Sequence, residues 1–324
     1  MNQIHSVIAH LKVTSASHPA TFASTGNTAQ LESIIAGDAL PAFLSRAPSM
    51  HIMAPDMTQI KPPIAAPAAS LWDESRLANP HAVSDKRGRV QKMFAAIAPS
   101  YDLCNRLHSL WMDQAWRRAA VKIAQVKPSD CVADIACGTG DLTLKFQAKL
   151  QSLATAQTPP PRVIGIDFTY EMLPLAVRKS QGKNILWANG DAQSLPLPDQ
   201  SVDIVSIAFG IRNVADPAAA IAEFSRVLRP GGRLIILEFS LPTNPVLRAF
   251  YNFYFHQILP RTATWISGDR TGAYRYLPQS VNTFISRETM ARMMQTKGFT
   301  QVTQQPMTFG VCVCYRGVKN IANV

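Results

Sequence analysis

The stretch Asp134-Ile-Ala-Cys-Gly-Thr-Gly-Asp141 places two glycines between an apolar run and a segment with helical periodicity. The apolar run Cys131–Ile135 predicts a buried strand, and the pattern after Gly140 predicts a helix. Glycine at such a turn removes the Cβ atoms that would keep a ligand away from backbone N–H groups. The helix that follows presents its positive end to the same ligand. The stretch therefore predicts a binding turn for a polar small molecule.

Strand and helix patterns alternate through the rest of the chain. Short β-branched runs lie at Cys131–Ile135, Val163–Asp167, Ile185–Ala188, Val202–Ile207 and Arg233–Glu238. Helical patterns lie at 89–97, 113–124, 141–150, 170–180, 216–228 and 287–296, and the segments 299–304 and 310–317 predict a closing hairpin. This alternation predicts an α/β fold, a doubly wound and mostly parallel seven-stranded sheet with helices on both faces.

The first 83 residues differ in composition from the rest. They are rich in Ala, Ser, Thr and Pro, as in the stretch KPPIAAPAAS at 61–70, and show no sustained helical or strand period. We therefore expect a disordered extension over 1–83 and a folded domain over 84–324. The first thirty residues contain no acid but only one basic residue, Lys12. Mitochondrial or plastid targeting by residues 1–80, a linker and a misassigned start all stay open.

Charge and hydropathy set limits on the partners. The 324 residues carry a formal net charge of +11, which favours association with nucleic acid or an anionic membrane surface. The apolar run Leu234-Ile-Ile-Leu237 is far shorter than the roughly 20 residues that cross a bilayer. We therefore expect no membrane span.

The cysteines form no C-x-x-C pair and have no histidine at metal-ligand spacing; they are Cys104, Cys131, Cys137, Cys312 and Cys314. The sequence accordingly predicts neither a metal site nor a disulfide framework. This use of cysteine fits a reducing compartment best.

Two further acids follow predicted strands. Asp167 ends the second strand, where a carboxylate can accept both hydroxyls of a ribose. Asp191 follows the third strand in NGDAQSLP at 189–196. Its carboxylate and the N–H of Ala192 are placed to read the edge of an adenine. The alternatives are a helix-capping role for Asp167 and a simple Asn-Gly turn before Asp191.

A Pro-Gly-Gly turn leads into the fifth strand, in RVLRPGGRLIILEFS at 226–240. A glycine turn, a ribose acid, an adenine acid and this strand, in that order, resemble the class I methyltransferases that bind S-adenosylmethionine. A nicotinamide enzyme would more usually carry a third glycine of G-x-G-x-x-G at Thr143.

The resemblance implies S-adenosylmethionine as the cofactor. It places Thr139, Asp167, Asp191 and Ala192 in contact with the cofactor, while Gly138 and Gly140 make room for its methionine portion. Asp134 is expected to order the loop or to meet the amino group through water.

Further motifs resemble a narrower family, the C-methyltransferases of prenylated quinol rings in menaquinone and ubiquinone biosynthesis. The motifs are YDLCNRLHSLWMDQAW at 101–116, AFGIRNV at 208–214, ILEFS at 236–240, YRYLPQSV at 274–281 and TFGV at 308–311. The resemblance covers roughly 84–319. The chain departs from the family at Asp113, where histidine is usual, and at Ala208, where serine is frequent.

This resemblance implies methyl transfer to a quinol carbon, demethylmenaquinol to menaquinol being one such reaction. The carbon becomes nucleophilic when a neighbouring hydroxyl loses its proton, so the site must stabilise a phenolate. Arg212 and Asn213 follow the fourth strand and are predicted to hold this oxyanion, although a structural ion pair is the alternative for Arg212. Further candidates on the substrate side are Tyr101, His108, Tyr251 and Tyr276.

The expected partners follow from the substrate. A prenylated quinol predicts peripheral contact with a membrane, and the aromatic residues in 250–255 are suited either to line a path for its tail or to pack in a lid. We expect a cytoplasmic protein, peripheral on the inner membrane, and a homodimer is compatible with the sequence.

Two other functions are alternatives for this sequence. A nucleic-acid methyltransferase would usually carry Asn/Asp-Pro-Pro-aromatic after strand four or a cysteine after proline, and this chain has neither. We therefore expect no nucleic acid partner. A non-catalytic module that binds S-adenosylmethionine is the remaining alternative.

Overall fold

A computed structural model describes residues 70–321 of the chain. The strands are β1 (Cys131–Ile135), β2 (Arg162–Asp167), β3 (Leu186–Asn189), β4 (Val202–Ala208), β5 (Leu228–Phe239), β6 (Phe299–Met307) and β7 (Cys312–Lys319). Residues 1–69 and 322–324, and with them most of the predicted extension over 1–83, lie outside the described residues.

The α-helices fall into an amino-terminal set, a set that alternates with the strands, and a set near the carboxyl terminus. They are α1 (Glu74–Ala78), α2 (Lys86–Ile97), α3 (Tyr101–His108), α4 (Met112–Ile123), α5 (Asp141–Leu153), α6 (Leu173–Lys179), α7 (Pro217–Val227), α8 (Pro245–Phe253), α9 (Leu259–Ser267), α10 (Ala273–Asn282) and α11 (Arg287–Thr296). A π-helical turn, Tyr254–Ile258, joins α8 to α9.

The strands form one seven-stranded sheet in the order β3-β2-β1-β4-β5-β7-β6. β1 to β5 are parallel, and β7 lies antiparallel between β5 and β6. This arrangement confirms the predicted doubly wound fold and its closing hairpin. Because β1 pairs with β2 on one side and with β4 on the other, the direction of winding reverses beside β1. Ligands bind such sheets at the carboxyl ends of the strands next to this reversal.

Helices cover both faces of the sheet. On one face, Trp116 of α4 and Phe146 of α5 join a buried cluster with Val132 of β1 and Ile204 of β4. On the other face, α6, α7 and α11 contact β3, β5 and β6. The run 234–237 in β5 is fully buried, which is typical of a parallel strand covered on both sides.

A second apolar cluster, which we call the cap, joins helices from the two ends of the domain. Its buried members are Trp72, Leu77, Val90, Met93, Ile97, Cys104, Tyr251, Phe255, Leu259, Ala263, Ala273, Tyr274 and Tyr276. Within it, the rings of Trp72 and Tyr276 lie 4.4 Å apart between centroids, and the indole N–H of Trp72 donates to the Met93 sulfur. The cap therefore depends on contacts between residues about 200 positions apart.

The predicted domain boundary at residue 84 comes too late. The segment 70–83 contains α1, which is capped by the Asp73 carboxylate, and it buries Trp72 and Leu77 in the cap. The guanidinium of Arg89 also donates to the Leu71 carbonyl at 2.8 Å. Residues 70–83 are thus part of the folded domain.

No helix within residues 70–321 is both long enough and apolar enough to span a bilayer.

Replacing Trp72 with alanine tests this boundary. Because the Trp72 side chain is fully buried, Trp72→Ala is expected to lower the free energy of unfolding by about 3–5 kcal/mol, measured by denaturant titration. Trp265→Ala is the matched control, since Trp265 is 85% exposed, and should change stability by less than about 0.5 kcal/mol. Equal stabilities of the two variants would place Trp72 outside the folded unit.

Candidate active site

The turn after β1 has a left-handed backbone, a conformation that residues with a Cβ atom rarely adopt. Gly138 and Gly140 adopt φ values of +56° and +84°. A Cβ on Gly140 would also lie 2.6 Å from the Trp187 ring. Two non-glycine residues at the ends of β1 and β4, Ala136 and Phe209, have φ values of +50° and +58°. Left-handed residues of this kind are strained and concentrate at functional sites.

A cavity of about 770 Å³, including the open space at its mouth, lies at the carboxyl edge of the sheet. Six residues predicted for the site line it: Tyr101, Gly138, Asp167, Asp191, Ala192 and Asn213. Ala208 and Phe209 from the end of β4 form part of the apolar lining. The structure thus brings most of the predicted residues together.

Asp167 links the loops after β1 and β2. One carboxylate oxygen accepts the Gly138 N–H and the other accepts the Thr169 N–H, each at 2.7 Å. Burial raises the pKa of Asp167 to about 6, and the two N–H donors act against this rise. Because each carboxylate oxygen has two acceptor positions, the side chain can still accept hydrogen bonds from a ligand.

Asp191 is held by a cation that the sequence analysis missed. Its carboxylate lies 2.7 Å from the Arg87 guanidinium and also accepts the Gln193 N–H at 2.9 Å. The Arg87 guanidinium lies over the Phe168 ring, 4.6 Å from its centroid. Both Arg87 and Phe168 line the cavity.

Helix α2 contacts all three loops that follow β2, β3 and β4. The ammonium of Lys86 donates to the Arg212 and Val214 carbonyls at 2.8 and 2.7 Å, after β4. Gln91 donates to the Phe168 carbonyl at 3.2 Å, after β2, while Arg87 reaches Asp191 after β3. Burial lowers the pKa of Lys86 to about 8. The local sequence carries no signal for these contacts because their partners are distant in the chain.

A smaller cavity adjoins the first and is lined in part by Asp134, Thr139 and Arg117. The hydroxyls of Thr143 and Ser206 each donate to Asp134 at 2.6 Å, and burial raises the pKa of this acid to about 6. Thr143, at the position where a nicotinamide enzyme would more usually carry glycine, therefore helps to orient the Asp134 carboxylate.

The hydroxyl of Thr139 is engaged in a polar cluster. It donates to Asp102 at 2.6 Å and accepts from Lys179 at 2.9 Å. The single hydroxyl proton of Thr139 is therefore already donated within the protein, and the predicted contact of Thr139 with a ligand stays a prediction.

Asn213 reaches the cavity, whereas Arg212 does not line it. The Arg212 guanidinium is buried, donates to Glu238 at 2.6 Å and to the Phe209 carbonyl at 2.7 Å. The Asn213 amide donates to the same carbonyl at 3.1 Å, and its oxygen accepts from the Tyr276 hydroxyl at 2.9 Å. The alternative of a structural ion pair thus describes Arg212.

A family model described as the ubiE/COQ5 methyltransferase family matches residues 82–319. The chain belongs to this family. The demethylmenaquinone methyltransferase of Deinococcus radiodurans is 43% identical over 237 residues, which cover 72% of this chain and 94% of that protein. The ubiquinone/menaquinone biosynthesis C-methyltransferase UbiE of Citrifermentans bemidjiense is 42% identical over 244 residues, which cover 74% of this chain and all of that protein.

The solved structure of the CurJ carbon methyltransferase has a TM-score of 0.50 and 17% identity, and covers 72% of this chain and 61% of that one. At this identity the likeness concerns the fold alone. Family membership makes the chain an S-adenosylmethionine-dependent C-methyltransferase, which confirms the predicted enzyme class and cofactor.

In this ubiE/COQ5 methyltransferase, His108 lies apart from the other predicted catalytic residues. Its Nδ1 atom is 2.8 Å from the Cys104 carbonyl and its Nε2 atom is 2.9 Å from the Thr262 hydroxyl. Both ring nitrogens therefore have partners within the protein, and the side chain does not line the cavity. Tyr101 does line it, and burial raises the pKa of its phenol, so that the hydroxyl stays protonated near neutral pH.

Asp167→Asn is expected to weaken cofactor binding about tenfold to a hundredfold, because an amide places N–H against N–H at one of its two backbone partners. Isothermal titration calorimetry with S-adenosylmethionine measures this loss. Wild-type affinity should fall as pH drops through about 6, where Asp167 takes up a proton, and the variant should show a shallower fall. Asp199→Asn, outside the cavity lining, is the control. An unchanged affinity of Asp167→Asn would reject the assigned role.

Proposed function

We propose that the protein methylates a ring carbon of a prenylated quinol with S-adenosylmethionine, in menaquinone formation, ubiquinone formation or both. The names of its relatives support this reaction class. The observation that carries the proposal is the arrangement of the cavity. Two carboxylates, Asp167 and Asp191, lie at the ends of the adjacent strands β2 and β3 and line the cavity together with Tyr101, Asn213 and apolar side chains.

The residues present fit S-adenosylmethionine. Asp167 is assigned to the ribose hydroxyls, and Asp191 with the Ala192 N–H to the adenine. The bare turn at Gly138 leaves room for the methionine portion, since a Cβ there would meet only the Tyr101 ring, at 3.8 Å. When bound, the cofactor supplies an electrophilic methyl group on its sulfonium.

The side chains of the protein hold the quinol oxygen beside the carbon that reacts. The protonated phenol of Tyr101 can donate a hydrogen bond to a developing phenolate. Asn213 is held by Phe209 and Tyr276, so that its position is fixed before substrate binds. Preorganised donors of this kind stabilise the transition state without reorganisation during the reaction. Arg212 and His108, which do not line the cavity, are assigned positioning and structural roles.

The cap offers an apolar route for the isoprenoid tail. Tyr251 and Phe255 are stacked, with ring centroids 4.1 Å apart, inside the cap. Phe94 and Tyr101 pack against the same cluster and also line the cavity. A long apolar tail that leaves the cavity past these rings stays out of water. Such a substrate places the enzyme at a membrane surface.

Methyl transfer tests the proposal directly. The full chain is incubated with methyl-labelled S-adenosylmethionine and, separately, a reduced prenylated naphthoquinol, a reduced prenylated benzoquinol and RNA. We expect label in one or both quinols and none in RNA. Label in RNA alone would establish a nucleic-acid methyltransferase instead. Cofactor binding without product from either quinol would indicate a non-catalytic module.

Asn213→Ala is expected to lower kcat for the quinol about a hundredfold, because it removes a donor from the proposed oxyanion contact. The affinity for S-adenosylmethionine should stay within about twofold of wild type. Tyr276→Phe, which keeps the ring in the cap but removes the hydroxyl that Asn213 accepts, should cause a smaller loss of kcat. Equal losses of kcat and cofactor affinity in Asn213→Ala would contradict the role.

A further inference from the structure

Two exposed turns of the described chain hold large apolar side chains in left-handed backbone. Leu110 and Trp111 have φ values of +50° and +60°, and Phe309 has a φ of +56°. Leu110 and Phe309 are each 80% exposed. A left-handed backbone conformation costs free energy in residues with large side chains. Exposed apolar side chains gain no free energy from burial that could offset this cost. Strain combined with exposure indicates that these turns have a partner.

Helix α8 adds an apolar stripe on its outer side. Val246, Phe250 and Phe253 are spaced by four and three residues and therefore share one side of the helix. They are exposed, Phe250 by 70%, whereas Tyr251 on the inner side is buried in the cap. A helix that is apolar on both sides is unusual at the surface of a soluble domain. We call Leu110, Trp111, Val246, Phe250, Phe253 and Phe309 the apolar surface.

Hydrogen bonds join the three segments that carry the apolar surface. The Tyr254 hydroxyl, after α8, donates to the His108 carbonyl at 3.1 Å, just before the Leu110 turn. The Trp116 indole of α4 donates to the Thr308 hydroxyl at 2.8 Å, next to Phe309. The apolar side chains therefore belong to neighbouring parts of the structure.

The charges around the apolar surface favour an anionic partner. The sequence has no Asp or Glu from Phe239 to Gly268, nor from Leu103 to Met112. Arg248 and Arg261 lie within the first of these segments, are exposed, and form no ion pair within residues 70–321. Apolar and aromatic side chains with flanking arginines and no acids match the interface of an anionic bilayer.

We propose that the apolar surface inserts into the interface of an anionic lipid bilayer and so docks the enzyme beside its substrate. Only the purpose of docking, which is access to the quinol, rests on the proposed function. The apolar surface itself is identified from exposed side chains that do not line the cavity. Tyr254 and Phe255 connect the π-helical turn behind α8 to the cap. Phe94 and Tyr101, which line the cavity, pack against the same cap, so the cap links the cavity lining to the segment that follows α8.

Vesicle binding by the full chain, without quinol or cofactor, tests the proposal. Wild type should bind phosphatidylcholine vesicles that contain phosphatidylglycerol more tightly than pure phosphatidylcholine, and added salt should reduce the difference. The double variant Phe250→Ser with Phe253→Ser should lower partitioning about tenfold or more. Leu110→Ser with Trp111→Ser, on a separate turn, should do the same. Ile321→Ser is the control, since Ile321 is also exposed but lies outside the apolar surface.

Three results would overturn the proposal. They are absence of wild-type binding to either vesicle at low salt, wild-type binding by both double variants, and dissociation of a wild-type dimer by the same substitutions. The third result, seen by sedimentation velocity, would assign the surface to contact between two copies. Circular dichroism of both variants checks that each is folded, and agreement between two independent segments guards against a local defect.

Activity separates this proposal from the proposed function. The Leu110→Ser with Trp111→Ser variant should methylate a short-chain, water-soluble quinol at the wild-type rate but lose about tenfold in rate on a long-chain quinol embedded in vesicles. Vesicle binding with no methylation of any quinol would reject the proposed function and leave the lipid surface standing. Methylation of both quinols at wild-type rates by this variant would reject the lipid surface alone.

Discussion

A hydrogen bond from the Gly138 N–H to the buried Asp167 carboxylate holds the glycine turn against the second strand. The same carboxylate accepts the Thr169 N–H, so one side chain orders the backbone after β1 and after β2. Burial disfavours its ionised form, and the two N–H donors offset part of that cost. Because the turn contains the left-handed residues Ala136 and Gly140, its shape depends on this anchor.

The cap contacts the loops at the binding edge of the sheet. Helix α2, whose inner side is part of the cap, is joined to the loops after β2, β3 and β4 through Gln91, Arg87 and Lys86. The buried ion pair between Arg212 and Glu238 joins the loop after β4 to β5. Binding energy need not be used to order these loops when ligands enter, which is the benefit of a preorganised site.

The sequence predicted the sheet well because buried parallel strands are continuous apolar runs, a local signal. The same signal locates Asp167 at the end of one run and Asp191 two residues after another, and both line the cavity, while their roles toward a ligand stay predictions. Contacts between distant segments leave no local signal, and this explains why two of them were not predicted. Arg87 is paired with a residue about a hundred positions away, and Trp72 packs on Tyr276. For Arg212 the sequence left two alternatives open, and one of them was an ion pair of the kind that it forms with Glu238. Trp72 and Leu77 follow a Pro-rich stretch, whose composition led to a predicted boundary after them.

We assign the methyl donor to the cavity at the carboxyl edge of the sheet. A crystal structure of the full chain soaked with S-adenosylhomocysteine would measure every assigned contact at once. We expect the ribose hydroxyls within hydrogen-bond distance of Asp167, the adenine beside Asp191 and Ala192, and the amino acid end over Gly138. An adenosyl group bound away from Asp167 and Asp191 would refute this assignment.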